Sequence, residues 1–231
     1  FSLWTADTQA MFENGYALVP ALGGLYVTYA FIFTGGASLQ WFRDSFAAGV
    51  KLEAEKTGKS VYALLDSKVR PDPSGLLVLP HFAGAATPYM DTGAKGAILG
   101  LLLAHDEIDL YRAILEGVAY ENRVNLERLG EAGVRISSLR ATGGGSKSPV
   151  WLQIKADILN RPIATLEAAE AGTMGSLMLA GLACGVYSSL EEAMSLAKEA
   201  KRFEPAADRA RYDEIFGRYR RVYGAVKSVY A

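Results

Sequence analysis

One cysteine, Cys184, and two histidines, His81 and His105, leave this chain of 231 residues little for metal or redox chemistry. A lone thiol makes no internal disulfide and no cysteine-based zinc site, and two distant histidines make no metal cluster. A basic excess is also missing: 24 Lys and Arg stand against 25 Asp and Glu, a net charge of −1. Such a balance has no field with which to grip a phosphate backbone, which excludes nucleic acid as a partner. Long apolar runs are absent too. The longest, from Leu22 to Phe33, is interrupted by Gly23, Gly24 and Thr28 and falls short of the roughly 20 residues of a membrane span. No basic start precedes an apolar core, so no export signal is read. The expectation is a cytoplasmic chain with no membrane contact. Its first residue is Phe1 rather than Met, which reads as a fragment or a processed chain.

Glycine is what the sequence has in excess: 24 residues, against about 7% in ordinary proteins. Half of the chain is hydrophobic and 21% is charged, the composition of one large globular domain or two small ones. Aromatic and β-branched residues predict strands over residues 1–5, 16–20 and 25–33. A helix is expected over 38–48 with Leu39, Phe42 and Phe46 on one face, then a surface helix or loop over 51–59 and a helix over 60–67. A strand over 76–79 stops at Pro80, and a glycine-rich loop runs from His81 to Gly96. The apolar stripe from Ile108 to Leu129 predicts a long helix over 106–131, with Asp106 as N-cap and Gly133 as stop. Strands over 134–141 and 162–166 alternate with helices over 148–160 and 170–183, which suggests βαβ units and a mostly parallel sheet edge. Ser189 and Glu192 read as a capping box. One terminal helix is expected, with Tyr212, Ile215, Phe216, Tyr219, Val222, Tyr223 and Val226 facing a core.

The strongest local signal for chemistry is Thr142-Gly143-Gly144-Gly145-Ser146, between a predicted strand and a predicted helix. Consecutive glycines let the chain turn sharply and let a ligand approach the main chain, and the following helix aims free N–H groups at it. The pattern is not a P-loop, since no Gly-Lys-Ser/Thr follows. It is not the dinucleotide fingerprint, whose third glycine would fall on Ser148. A tight turn without a ligand stays open as the plainer reading. Gly35-Gly36-Ala37-Ser38-Leu39-Gln40 repeats the layout: Gln40 would reach a phosphate from the first helical turn, or Ser38 is merely the N-cap and Gln40 is solvated. The small residues from Ala171 to Gly181 suit close packing of a helix in a core, with its start facing the same cleft as the triple glycine. His81 reads as structural, with no partner in view; His105 belongs to the surface at a helix start. Cys184 reads as a buried small hydrophobe. Arg209, Arg211, Arg218, Arg220 and Arg221, balanced by Asp208, Asp213 and Glu214, read as a solvated face.

In order along the chain, Thr87-Pro88-Tyr89-Met90-Asp91, Gly96 to Leu101, Leu115-Glu116-Gly117-Val118-Ala119-Tyr120-Glu121, and Gly143-Gly144-Gly145-Ser146 with Trp151-Leu152-Gln153 and Ala156-Asp157 resemble the C-terminal domain of the FGGY family of carbohydrate kinases. The resemblance covers nearly the whole chain and leans toward the pentulose kinases, such as xylulose kinases. It implies an α/β fold, a ribonuclease-H-like lobe of the actin and hexokinase type with a mixed sheet flanked by helices. Residues 1–231 would be the single C-terminal nucleotide-binding lobe of a two-lobe kinase, with the N-terminal sugar-binding lobe absent. The implied cofactors are ATP and Mg2+. Gly36 and Gln40 would lie near the phosphates, and Gly143, Gly144, Gly145 and Ser148 against adenine and ribose. The family's general base is an aspartate of the other lobe, so no catalytic residue and no metal ligand is assigned here. The sugar would be held mainly by that lobe, the isolated chain would be inactive, and a homodimer is compatible with the resemblance. The chemistry implied is in-line phosphoryl transfer, which depends on positioning and charge neutralisation. A nucleotide-sensing domain without catalysis, or a structural α/β module, stays open beside it.

Overall fold

The β-branched and aromatic residues at the start of the chain pleat as expected. Strands β1 (Ser2–Thr5), β2 (Leu18–Pro20) and β3 (Tyr26–Tyr29) form an antiparallel sheet in the order β1-β3-β2, with a short helix α1 (Thr8–Glu13) that the pattern did not predict. The computed structural model describes residues 2–5, 7–13, 16–136, 138–167, 171–206 and 209–230. Phe1, Ser137 and Glu170, each in a predicted element, and Asp208 lie outside the described residues. The chain divides into two units, Phe1–Ile136 with Asp208–Ala231, and Ser137–Ala207.

In the first unit, α2 (Gly35–Ser45) begins on the glycine pair rather than after it. Helix α3 (Ala48–Thr57) ends in the left-handed Gly58, whose N–H donates to the Ala54 carbonyl, and α4 (Val61–Lys68) follows. Strand β4 (Leu77–Leu79) pairs antiparallel with β5 (Ala97–Leu99), a strand too short to show in the sequence. Helix α5 (Glu107–Glu131) is the long helix expected. Asp106 accepts from the N–H groups of Ile108 and Asp109, and Asp109 accepts from the Asp106 N–H, a complete capping box. Its middle is buried all round. At Gly117 a β-carbon would run into the Val78 carbonyl, so α5 lies backbone-close on β4. His81 is buried and does have a partner: Nε2 is 3.4 Å from Glu121 Oε1, and Tyr89 and Tyr223 stand edge-on to the ring.

In the second unit, β6 (Leu139–Ala141), α6 (Pro149–Leu159) and β7 (Ile163–Leu166) form the predicted βαβ unit, with β6 and β7 parallel. Helix α6 packs Trp151, Leu152, Ile154 and Ile158 inward. Helices α7 (Ala171–Ala183) and α8 (Leu190–Met194) lead to β8 (Glu199–Phe203), which pairs antiparallel with β7 and makes the sheet mixed. The core role expected for the small residues of α7 is corrected. Only Gly181 is buried, against the Tyr187 ring, and Leu177 and Leu179 are exposed. Cys184 is exposed as well. The capping box at Ser189 is half formed: its hydroxyl accepts from the Glu192 N–H, but the Glu192 carboxylate turns to Ser188.

The chain then returns to the first unit as two helices instead of one, α9 (Arg209–Tyr219) and α10 (Val222–Tyr230). Tyr212, Ile215, Phe216, Tyr219 and Val222 are buried as the stripe predicts. The arginines lie outward in ion pairs, Arg209 with Asp213, Arg211 with Asp72 and Arg218 with Glu214. Among the described residues no helix is long and apolar enough to cross a membrane.

Candidate functional site

The glycine turn of the second unit is built by three glycines with three different environments. Gly143 follows β6 with φ 76° and ψ −166°, a conformation almost confined to glycine. A single 3-10 turn, Gly144–Lys147, then closes as the N–H and hydroxyl of Ser146 both donate to the Gly143 carbonyl, at 3.1 and 2.7 Å. At Gly145 the Trp151 ring stands 3.0 Å from where a β-carbon would be. Gly144 has neither constraint: its φ is not left-handed and no atom lies within 4 Å of its missing β-carbon. Neither conformation nor packing therefore demands glycine at 144, and its main chain is open to a ligand. Ser148 is the N-cap of α6, its oxygen accepting from the Trp151 N–H at 3.0 Å, with Pro149 opening the helix. That leaves its hydroxyl proton free to donate.

This turn borders a cleft of about 290 Å³ at the carboxyl ends of the parallel strands β6 and β7, lined by Thr142, Ser146, Lys147, Thr165, Glu167 and Lys201 among others. Open α/β sheets take ligands at that end. Neither the three glycines, Gly143, Gly144 and Gly145, nor the first residues of α7, Ala171, Gly172 and Thr173, are among its lining residues. Sequence reasoning missed Lys155, whose ammonium lies 3.6 Å from the centre of the Trp151 ring. Burial lowers this lysine from its usual range to about 8. The four-residue spacing of Trp151 and Lys155 on a helix was the available signal.

Gly36 and Gln40 belong to the first unit. Thr34 is the N-cap of α2, yet its hydroxyl donates to the Pro80 carbonyl and makes no cap bond to the helix. The first N–H groups of α2 are thus left without a side-chain cap, beside two glycines with open space around them, an arrangement suited to an anion. Two expectations need correction. Ser38 is not a cap: it is buried in the helix, its hydroxyl donating to the Thr34 carbonyl. Gln40 is the sixth helical residue, outside the first turn. Helical side chains lean toward the N-terminus and cover the residue four earlier. For Gln40 that residue is Gly36, which has no side chain to obstruct its reach.

Residues 3–184 match the family model of the FGGY family of carbohydrate kinases, C-terminal domain. A glycerol kinase of Variovorax paradoxus is 34% identical over 201 residues, 85% of this chain and 39% of its own length. A xylulose kinase of Bacillus subtilis is 32% identical over 206 residues, 88% of this chain and 40% of its own. Among solved structures, the xylulose kinase from Rhodospirillum rubrum is similar with a TM-score of 0.79 and 26% identity, over 99% of this chain and 45% of that one. The chain spans about two fifths of the length of the relatives it matches. The fold is that of the actin and hexokinase type of ATPase, a mixed α/β lobe with helices flanking a mixed sheet.

Proposed function

The chain belongs to the FGGY family of carbohydrate kinases, and from that premise we propose that it forms the nucleotide-holding part of an enzyme transferring the terminal phosphoryl group of ATP to a hydroxyl of a sugar or polyol. The observation that carries the reading is Gly144, open to a ligand between two glycines that the fold itself requires. In this reading adenine and ribose lie over the Gly143–Gly145 turn with Ser148 as a donor. In the first unit, taken by itself, the uncapped start of α2, with Gly36 and Gln40, is suited to phosphate oxygens. Lys147 and Lys201 add positive charge to the cleft. These residues bind and orient; the general base and most sugar contacts are assigned to none of them. In this reading ATP supplies the phosphoryl group and the reaction is cytoplasmic. Among the described residues no cluster of three or more His, Cys, Asp or Glu is placed to hold a metal.

The acceptor we propose is a pentulose, supported by the xylulose kinases among the similar proteins; the similar glycerol kinases name the competing acceptor. The full-length protein, titrated with ADP by calorimetry, tests the nucleotide reading. Gly144→Val is expected to raise the Kd about tenfold or more, a loss of about 1.4 kcal/mol, with thermal stability unchanged. An unchanged Kd in that folded variant overturns the reading. Turnover with xylulose and with glycerol as acceptors then decides the substrate.

A further inference from the structure

Lys155 sits beneath the glycine turn. On α6 it stands one turn after Trp151, with its ammonium 3.6 Å from the centre of the indole. The indole edge lies 3.0 Å from the place of a Gly145 side chain, and the ammonium 3.8 Å from the same place. The ammonium thus lies on the same face of the indole as Gly145, against both the ring and the turn. No hydrogen bond or ion pair to a described residue engages the ammonium, and its basicity is lowered by burial alone. The charged groups on the elements packed against α6 are Lys147 on the 3-10 turn, Glu167 after β7, and Glu199, Lys201 and Arg202 on β8; α6 itself carries Asp157. Glu199 faces Arg140 and Arg202 instead, each at 3.8 Å, and Asp157 accepts from Gln153 and from the Ala206 N–H. A half-buried lysine whose ammonium rests on an aromatic face gives up hydration that the contact must offset.

We propose that Lys155 is a positioning residue for the nucleotide: its ammonium, seated against both the Trp151 indole and Gly145, ties the turn to the ring and so holds the Gly143–Lys147 turn in the shape a nucleoside approaches. The inference rests on the nucleotide reading of that turn. Loss of the proton leaves the lysine stem in place and removes the attraction to the indole, so the turn loosens. The nucleotide therefore prefers the protein with Lys155 charged, and its affinity falls as the pH rises through the titration of this lysine.

The test is calorimetric titration of the full-length protein with ADP from about pH 6.5 to about pH 9.5, spanning the lowered lysine range. The wild-type Kd is expected to rise about threefold to tenfold, the scale of a cation–π contact, with a midpoint near 8. Lys155→Arg keeps a charge that does not titrate and stacks on indole; it should bind as tightly as wild type at neutral pH and show no such midpoint. Lys155→Met, uncharged and of similar shape, should bind at every pH as weakly as wild type does at the alkaline end. A Met variant with full neutral-pH affinity, or an Arg variant whose profile repeats the wild-type midpoint, overturns the proposal. If the Met variant fails to fold, by thermal melt and near-ultraviolet dichroism, the Arg profile decides alone. Gly144→Val is titrated alongside. If it too leaves ADP binding intact, the nucleotide reading has failed; if it alone weakens binding, only the positioning role has.

Discussion

At Gly143 the backbone takes φ 76° and ψ −166°, where a β-carbon is strained, while Gly144 beside it has open space and no left-handed φ. Alanine substitutions should separate fold from function across this one peptide bond. Gly143→Ala is expected to lose about 1–3 kcal/mol of stability through backbone strain, whereas Gly144→Ala should leave urea unfolding unchanged. Equal losses at the two positions would mean that the turn relaxes differently from its described geometry. Gln40 makes the opposite kind of case. It is exposed, so a structural role predicts no effect of Gln40→Ala on either stability or activity. A phosphate contact predicts lower turnover of the full-length protein at saturating ATP and sugar, by up to about tenfold for one neutral hydrogen bond formed in the transition state, with unchanged melting. Unchanged turnover would remove Gln40 from the site.

Helix α5 shows how one element combines a readable boundary with an unreadable interior. Its start was legible because Asp106 and Asp109 satisfy each other's backbone donors within four residues of sequence. The reason for Glu116-Gly117 was not. Glu116 is buried, bonded to Arg112 at 2.7 Å and to the Ser74 hydroxyl at 2.7 Å, and Arg112 reaches on to the Arg70 carbonyl and Tyr212. Burial raises the Glu116 carboxyl above its usual range despite the guanidinium beside it, so the charged pair is held at a desolvation cost. Glu116→Ala would strand Arg112 unpaired in the interior and should cost about 3–5 kcal/mol in urea unfolding. Replacing both residues by Met should recover most of that loss; equal damage in the single and double variants would refute the pairing argument. Elsewhere the misread elements share a cause, which is that tertiary contacts decided them. The start of α2 depends on Thr34 tying to Pro80 across a long sequence gap, so the glycine pair looked like a turn. Strand β8 is Glu-Ala-Lys-Arg-Phe, a charged edge that carries no alternation, and β5 is three residues long. The glycine turn of the site was legible from its residues alone, but the Lys155 contact beneath it exists only once α6 is packed.

Across the whole molecule, the ionisable groups set the pH range in which the fold persists, and their signs can be worked out. Asp91 is held near 2, chiefly by the hydrogen bond from Tyr223 and then by Lys227, and Asp106 near 2, chiefly by Arg70. Each has its folded pKa below the unfolded one, so its contribution is present above about pH 4 and is lost as the pH falls toward 2. The tyrosines act at the other end. Tyr111, Tyr120 and Tyr219 are fully buried, and burial pushes all three phenols well above their usual range, with Asp66 and Glu121 adding to the shift at Tyr111 and Tyr219. A phenol whose folded pKa is raised contributes fully below the unfolded value of about 10 and loses that contribution as the pH rises beyond it, because only the unfolded chain ionises. Lys155 has the reverse effect. Its folded pKa of about 8 lies below the unfolded one, so between about 8 and 10.5 the unfolded chain binds more protons and stability rises with pH. Urea unfolding followed by circular dichroism should thus show stability rising slightly from pH 8 toward 10 and then falling steeply. With three phenols kept protonated in the fold, the fall approaches about 4 kcal/mol per pH unit. Beyond the phenols already exposed in the fold, such as Tyr29, further tyrosinate absorbance should appear with unfolding and not before it. In Lys155→Arg the slight rise should vanish while the steep fall remains. Ionisation of Tyr111, Tyr120 or Tyr219 in the folded protein near pH 10, or a fall that begins below pH 9, would show that the tyrosine-lined core of the first unit is wetter than its burial implies.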